Sequence, residues 1–261
     1  MCWNGSPCNP PGLGRPFPLI DRSTDQPMGC LCVDEDLDLR DFSGICRLFP
    51  LPGVVLFPHA VQPLHVFEPR YQQMTQDALD GDRLIAIVQV QPDADWSASD
   101  EPAIESVACL SRIIHHERLP DGRFNLLLQG RARIRISREL VVPTLYRQAE
   151  VEILADLQPS VPPDSSEKSN LIEIFRDVAR RAGGLDPEFD ALLASDPPLG
   201  VVADLIAQAI GLPAALKQAL LADRRADRRG RALLAILRQV AGRSGRDSSS
   251  SRPFPPPFSD N

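Results

Sequence analysis

Residues Arg123–Ile136 read RFNLLLQGRARIRI, and the run alternates. Phe124, Leu126, Leu128, Ala132, Ile134 and Ile136 fall on even positions, with Arg123, Asn125, Gln129, Arg131, Arg133 and Arg135 on odd ones. Leu127 is the exception. Alternation at period two predicts a strand with one buried and one solvated face. Gly130 interrupts the run, as a bulge or sharp bend does. Asp121-Gly122 precedes it, and the apolar run Cys109–His116 comes before that, so a hairpin is expected across the Asp-Gly turn.

The segments on either side extend the same reading. Leu84–Val90 is apolar almost throughout and predicts a central strand covered on both sides. Short apolar runs broken by Pro or Gly continue from Ile45 to about Leu157, the pattern of strands. One short helix is expected among them: Pro69 suits a first helical position, Tyr71, Met74 and Ala78 recur at helical spacing, and Gly81 follows. After Gln158 the period becomes helical. Leu171, Ile174, Phe175 and Val178 form a stripe that ends at Gly183-Gly184. Asp186-Pro187 and Asp196-Pro197 each resemble a cap followed by a helix-opening proline. Val202–Ile210, a helix opened by Pro213, and Leu233–Val240 complete four or five helices.

These patterns predict an α+β chain, a mostly antiparallel curled sheet followed by a helical bundle. The expected organisation is a leader without a core over 1–43, a β-rich part over 44–158, helices over 164–241 and a Ser/Pro tail over 242–261. Proline is the compositional outlier, with 26 among 261 residues, about twice the usual ~5%. Six prolines precede residue 28 and four follow residue 252, which places the irregular sequence at the two ends. Met28 is an alternative start. The first twenty residues lack a basic start and an apolar core, no apolar run approaches a membrane span, and a cytoplasmic location with no membrane partner is expected. A net charge of −7 argues against wholesale nucleic-acid binding.

Motifs for chemistry are missing from the sequence. There is no G-x-x-x-x-G-K-[ST] loop, no G-x-G-x-x-G and no G-x-S-x-G elbow. Adjacent His115 and His116 on a strand point to opposite faces and cannot share a metal. Cys30-x-Cys32 has too short a spacer for a structural zinc pair. Lys168 and Lys217 are the only lysines, both in solvated contexts, which leaves no Ser–Lys dyad. No catalytic residue, cofactor or metal is expected.

Three features suit binding. Arg131, Arg133 and Arg135 repeat on one strand face at roughly 6.6 Å, close to the phosphate spacing of an extended single strand. Residues 214–243 carry eight basic against two acidic side chains, a solvated face or a dock for an acidic partner. The Pro-broken apolar block Leu48–Pro58, followed by Val61–Tyr71, must lie partly at a sheet edge because proline cannot donate in a central ladder. An apolar groove beside that edge suits an extended peptide, with Glu68, Arg70 and Tyr71 at its rim, where a strand-to-helix corner sets polar groups beside it.

Phe49-Pro50-Leu51, Val54-Val55-Leu56-Phe57-Pro58, Pro63-Leu64-His65-Val66-Phe67-Glu68-Pro69-Arg70-Tyr71, and Leu119-Pro120-Asp121-Gly122 leading into Leu127–Ile134 together resemble the N-terminal domain of the Lon protease family in its stand-alone bacterial form. The resemblance covers about residues 45–240 and includes the helical stretch Leu216–Val240 with its polar break at Asp223–Arg229. It implies an antiparallel pseudo-barrel of the PUA-like group followed by helices. It also implies a substrate-recruiting or protein-binding role, with polypeptide clients or a partner protein; an adaptor function in protein quality control is the expectation drawn from it. Proteolysis is not implied, because neither the ATPase module nor the Ser–Lys protease domain is in the sequence. The PUA-like analogy gives a second expectation, an RNA-binding module using Arg131, Arg133 and Arg135.

Overall fold

In the computed structural model of the chain, residues 39, 42–92, 101–157 and 165–243 are described. Expectations for Met28, Cys30, Cys32 and the two terminal stretches fall outside the described residues. Six strands form one sheet: β1 (Ile45–Leu51), β2 (Val61–Val66), β3 (Leu84–Gln89), β4 (Val107–Arg118), β5 (Phe124–Leu140) and β6 (Gln148–Leu154). Helix α1 (Pro69–Leu79) lies between β2 and β3. Five more follow the last strand: α2 (Ser165–Arg181), α3 (Pro187–Ala194), α4 (Leu199–Ala209), α5 (Ala214–Ala222) and α6 (Ala226–Arg243).

The strand order is β2-β5-β4-β3-β1-β6, and β6 also pairs with β5, so the ladder returns to β5 and leaves β2 as an added strand. The sheet is mostly antiparallel, as expected, with one parallel pairing. β1 and β3 run parallel, Leu48 opposite Ala86 and Leu51 opposite Gln89. The long connection through β2 and α1 is the crossover that a parallel pair requires. The sheet is therefore mixed.

β3 is buried at every position, and its two faces enter different cores. Leu84, Ala86 and Val88 pack with Leu48, Ala108, Leu110, Ile134 and Ala149. Ile85 and Ile87 belong to the larger core, which continues through Met74 and Ala78 of α1 to Phe175, Val202, Ile206 and Leu237 of the later helices. Sheet and helices thus share one apolar interior. Fully burying each such Leu or Ile stabilises the fold by about 1.5–3 kcal/mol.

β5 carries the expected interruption. Leu110 pairs with Ala132 and Ser111 with Gly130, which leaves Arg131 as the extra residue of a bulge. Gly130 is required by close backbone approach. A Cβ there would stand 2.1 Å from the Phe57 carbonyl oxygen. The approach is held by two hydrogen bonds, His59 N–H donating to Gly130 O at 2.9 Å and Gly130 N–H donating to Ala60 O at 2.8 Å.

Helix starts follow their caps, with one correction. Pro69 opens α1, and Asp186 caps α3 by accepting from the N–H groups of Glu188 and Phe189 at 2.9 and 3.1 Å. Asp196 does not cap α4. Pro197 precedes Pro198, which disfavours the helical region for Pro197, so the helix begins at Leu199 with Pro198 as its cap. Asp196 instead adopts a φ of 59° and its carboxylate accepts from Lys168 Nζ. α6 begins at Ala226, about two turns before the apolar run that announced it.

Gly130→Ala should destabilise the protein by about 1–3 kcal/mol, since the Phe57 backbone has to move to admit the methyl group. Urea unfolding checks this; an unchanged midpoint contradicts the close approach.

Candidate polypeptide-binding groove

The Pro-broken apolar block forms a groove of about 340 Å³. One wall is the end of β1 and the residue after it, Phe49 to Pro52; the other is Leu64 to Glu68, completed by Arg70 and Tyr71 from the first turn of α1. Pro69 fixes where the helix starts, and Glu68 at the cap keeps an extended backbone (φ −72°, ψ 135°) with no side-chain capping bond. Its carboxylate is turned to Arg70, whose Nε and Nη2 both lie 2.8 Å from Glu68 Oε2. The Arg70 guanidinium sits 4.6 Å above the centre of the Tyr71 ring.

All three rim candidates are therefore brought together, and one changes role. Tyr71 is only 6% exposed and its ring lies 4.3 Å from that of Phe49, so it forms wall rather than rim. Burial raises the Tyr71 hydroxyl pKa above the ordinary value. Phe67, which sequence reasoning did not single out, is the large apolar side chain open to solvent here, 45% exposed. A smaller pocket shares Pro50, Arg70 and Tyr71 with this groove and leads to Leu145, 66% exposed.

The arginine row behaves differently from the expected solvated face. Arg135 is exposed and pairs with Glu152 at 3.2 Å. Arg131 donates to Gln129 Oε1 at 2.9 Å. Arg133 is 4% exposed, because α4 and α5 cover that face of β5, and its guanidinium grips the carboxylate of Asp204, itself 2% exposed. Arg133 Nε also donates to Leu221 O at 3.0 Å. Arg229 of α6, 1% exposed, reaches the same centre: its two Nη atoms donate to Asp156 at 3.1 and 2.7 Å, and its Nε stands 3.1 Å from Asp204 Oδ1 without the alignment of a hydrogen bond. Burial raises the Asp204 pKa and the two guanidinium groups lower it, the first effect being the larger. Gly200 makes room, since a Cβ there would meet Asp156 Oδ2 at 2.5 Å.

This cluster joins β5, α4, α6 and the segment after β6. Sequence reading missed Asp204 and Arg229. The signal was Asp204 itself, a lone carboxylate in the otherwise apolar Leu199–Leu205 run. Beside the cluster lies a cavity of about 470 Å³ that includes His59, Arg131 and Asp227 in its lining, where burial holds the His59 imidazole below its ordinary pKa.

Other candidate chemistry resolves simply. A ladder irregularity between Ile113 and His115 leaves both His115 and His116 exposed. Among the described residues no group of three or more His, Cys, Asp or Glu side chains is placed to hold a metal ion. Burial pushes the Cys46 and Cys109 thiols up to about 12, so neither is a thiolate at neutral pH. No helix of the described residues is long and apolar enough to cross a membrane.

Comparison with known proteins identifies the class. Residues 45–239 match the family described as the ATP-dependent protease La (LON) substrate-binding domain, and the chain belongs to that family. It is 28% identical over 208 residues to a Lon protease of Xanthomonas oryzae pv. oryzae, an alignment spanning 78% of this chain and 23% of that protein. It is 31% identical over 180 residues to a Lon protease of Roseiflexus castenholzii, covering 67% of this chain and 21% of that one. The chain thus spans less than a quarter of the length of these relatives. Among solved structures, a Lon N-terminal domain protein from Xanthomonas campestris shares the fold with a TM-score of 0.53 at 23% identity, covering 73% of this chain and 97% of that one. The N-terminal domain of Mycobacterium avium complex Lon protease gives 0.56 at 16%, covering 74% and 98%.

Asp204→Ala should cost about 3–5 kcal/mol, because it takes from the buried Arg133 guanidinium the carboxylate it grips, whereas Arg135→Ala at the exposed pair should cost no more than about 1 kcal/mol. Paired denaturation curves test the contrast; equal effects contradict the buried cluster. In the native state Cys46 and Cys109 should resist iodoacetamide at pH 8, and peptide mapping that finds either one alkylated as fast as in urea contradicts their burial.

Proposed function

We propose that this chain is a non-catalytic module that holds extended, partly apolar polypeptide segments in the groove between β1, β2 and α1, as an adaptor for protein quality control in the cytoplasm. The observation that carries this reading is the groove itself. Phe49, Leu51 and Tyr71 form an apolar wall, Phe67 is exposed beside it, and Glu68 and Arg70 place opposite charges at one end. An apolar cleft with a few convergent polar groups is the usual form of a binding site. Membership of a family named for substrate binding supports polypeptide as the ligand class.

The returning ladder supports reading the sheet as a pseudo-barrel of the PUA-like kind, with 44–158 and 164–241 as β-rich and helical subdomains over a common interior. RNA is not advanced as a ligand, since the arginine row offers little free charge: Arg133 is buried against Asp204 and Arg135 is paired with Glu152.

The test is binding of reduced, carboxymethylated α-lactalbumin, followed by fluorescence anisotropy. Phe67→Glu should weaken it at least tenfold, about 1.4 kcal/mol, with the thermal midpoint unchanged. Undiminished binding by that variant, or no binding of any unfolded protein by the parent, overturns the proposal.

A further inference from the structure

β2 ends the described sheet, and its main chain shows which groups it leaves unused. In an antiparallel ladder, successive residues alternate between pairs that exchange hydrogen bonds and pairs that do not. Pro63 stands opposite Leu127 and has no N–H, so that pair exchanges none. The bonds to β5 therefore pass through Gln62, Leu64 and Val66, while the main-chain groups of Pro63 and His65 point away from β5. Pro63 C=O accepts from the Gln62 side-chain amide at 3.1 Å. The N–H and C=O of His65 have no partner among the described residues. Five consecutive residues, Leu64 to Glu68, line the groove, so its border is this backbone edge and not one side-chain face.

The opposite wall cannot satisfy that edge. β6 pairs with β1 only over Ile45–Arg47. Beyond it, Leu48 N–H donates outward to Arg147 O at 2.9 Å and Leu51 C=O accepts inward from Val90 N–H at 3.3 Å. Pro50, which shares the direction of Leu48, turns to the outer side and has no proton to give. Two strand edges thus border the groove, one able to donate and accept, the other able only to accept.

We infer that the groove takes its polypeptide by strand addition: an extended client segment pairs with β2 through the N–H and C=O of His65, while one apolar side chain of that segment enters between Phe49, Leu51 and Tyr71. This rests on the function proposed above and adds how the client is held. A group that must both donate and accept at one residue, within an apolar cleft, is matched by an extended peptide backbone; a phosphate chain brings acceptors only and an acyl chain neither. Because main-chain bonds carry no information about side chains, such a site tolerates many sequences. Pro63 and Pro50 confine the pairing to about one residue, which keeps it weak and reversible.

A fluorescein-labelled nonapeptide alternating Val or Phe with Ser or Lys provides the probe, together with two versions N-methylated on alternate residues, one for each edge of the peptide. One methylated version should bind at least tenfold more weakly than the parent and the other within threefold. His65→Pro removes the outward N–H and keeps the main-chain bonds to β5, but it also removes the side-chain bond of His65 Nδ1 to Asn125 Oδ1 at 2.8 Å. It should therefore weaken the parent peptide at least fivefold relative to His65→Ala, which loses the side chain alone. If the variant fails to fold, the methylated peptides decide alone. Equal binding of all three peptides overturns strand addition and leaves side-chain capture in the groove standing. No binding of the parent peptide or of carboxymethylated α-lactalbumin removes both.

Discussion

Proline carries no N–H, and Pro50 and Pro63 stand on the two strands that border the groove. Each takes a place in its ladder where the missing proton faces away from the partner strand, Pro50 away from β3 and Pro63 away from β5. The two free edges therefore cannot close on one another. The sheet closes elsewhere, through β6, which pairs with both β1 and β5. What remains between β1 and β2 is a cleft whose apolar walls come from the core and whose backbone is only half satisfied. An unpaired edge is ordinarily a liability for aggregation, and prolines are a standard means of limiting it. Here they shorten the edge without removing it.

Such a cleft has to be held rigidly if it is to bind anything. α1 supplies one side, seated by Met74 and Ala78 in the larger core, which runs on into the later helices. Those helices are fixed to the sheet by the Arg133–Asp204–Arg229–Asp156 cluster at the bulged part of β5. Buried ion pairs contribute little net stability compared with apolar packing, but losing one partner is costly. Their consequence here is geometric: four separate segments must arrive together, or charges are left buried and unpaired.

Much of this was legible in the sequence, and the gaps have definite causes. Alternation over Arg123–Ile136 located β5, and Gly130 marked the bulge. Alternation assigns a residue to a face without saying what covers that face, so Arg133 read as solvated although α4 and α5 bury it. Only Asp204, alone in an apolar helix stretch, hinted at the partner. Hydrophobic periodicity is also silent on strand direction, which is why nothing marked β1 and β3 as the parallel pair of a mostly antiparallel sheet. Asp196-Pro197 has the form of a cap, but a second proline shifted the helix start. At the groove, Glu68 and Arg70 followed from the strand-to-helix corner at Pro69. Tyr71 lies in the wall of the groove, and helical spacing alone does not separate wall from rim. Phe67 belonged to the apolar block Val61–Tyr71, but it is a single aromatic outside any stripe, and nothing marked it as the exposed one.

The most direct measurement is the amide spectrum of ¹⁵N-labelled protein during titration with an unfolded polypeptide. The resonances moving first and furthest should be those of Phe49, Leu51, Leu64 to Glu68, Arg70 and Tyr71, with Arg131 and Arg135 unmoved. Shifts centred on the arginine row or on the cavity beside Asp204, with the groove silent, would contradict it.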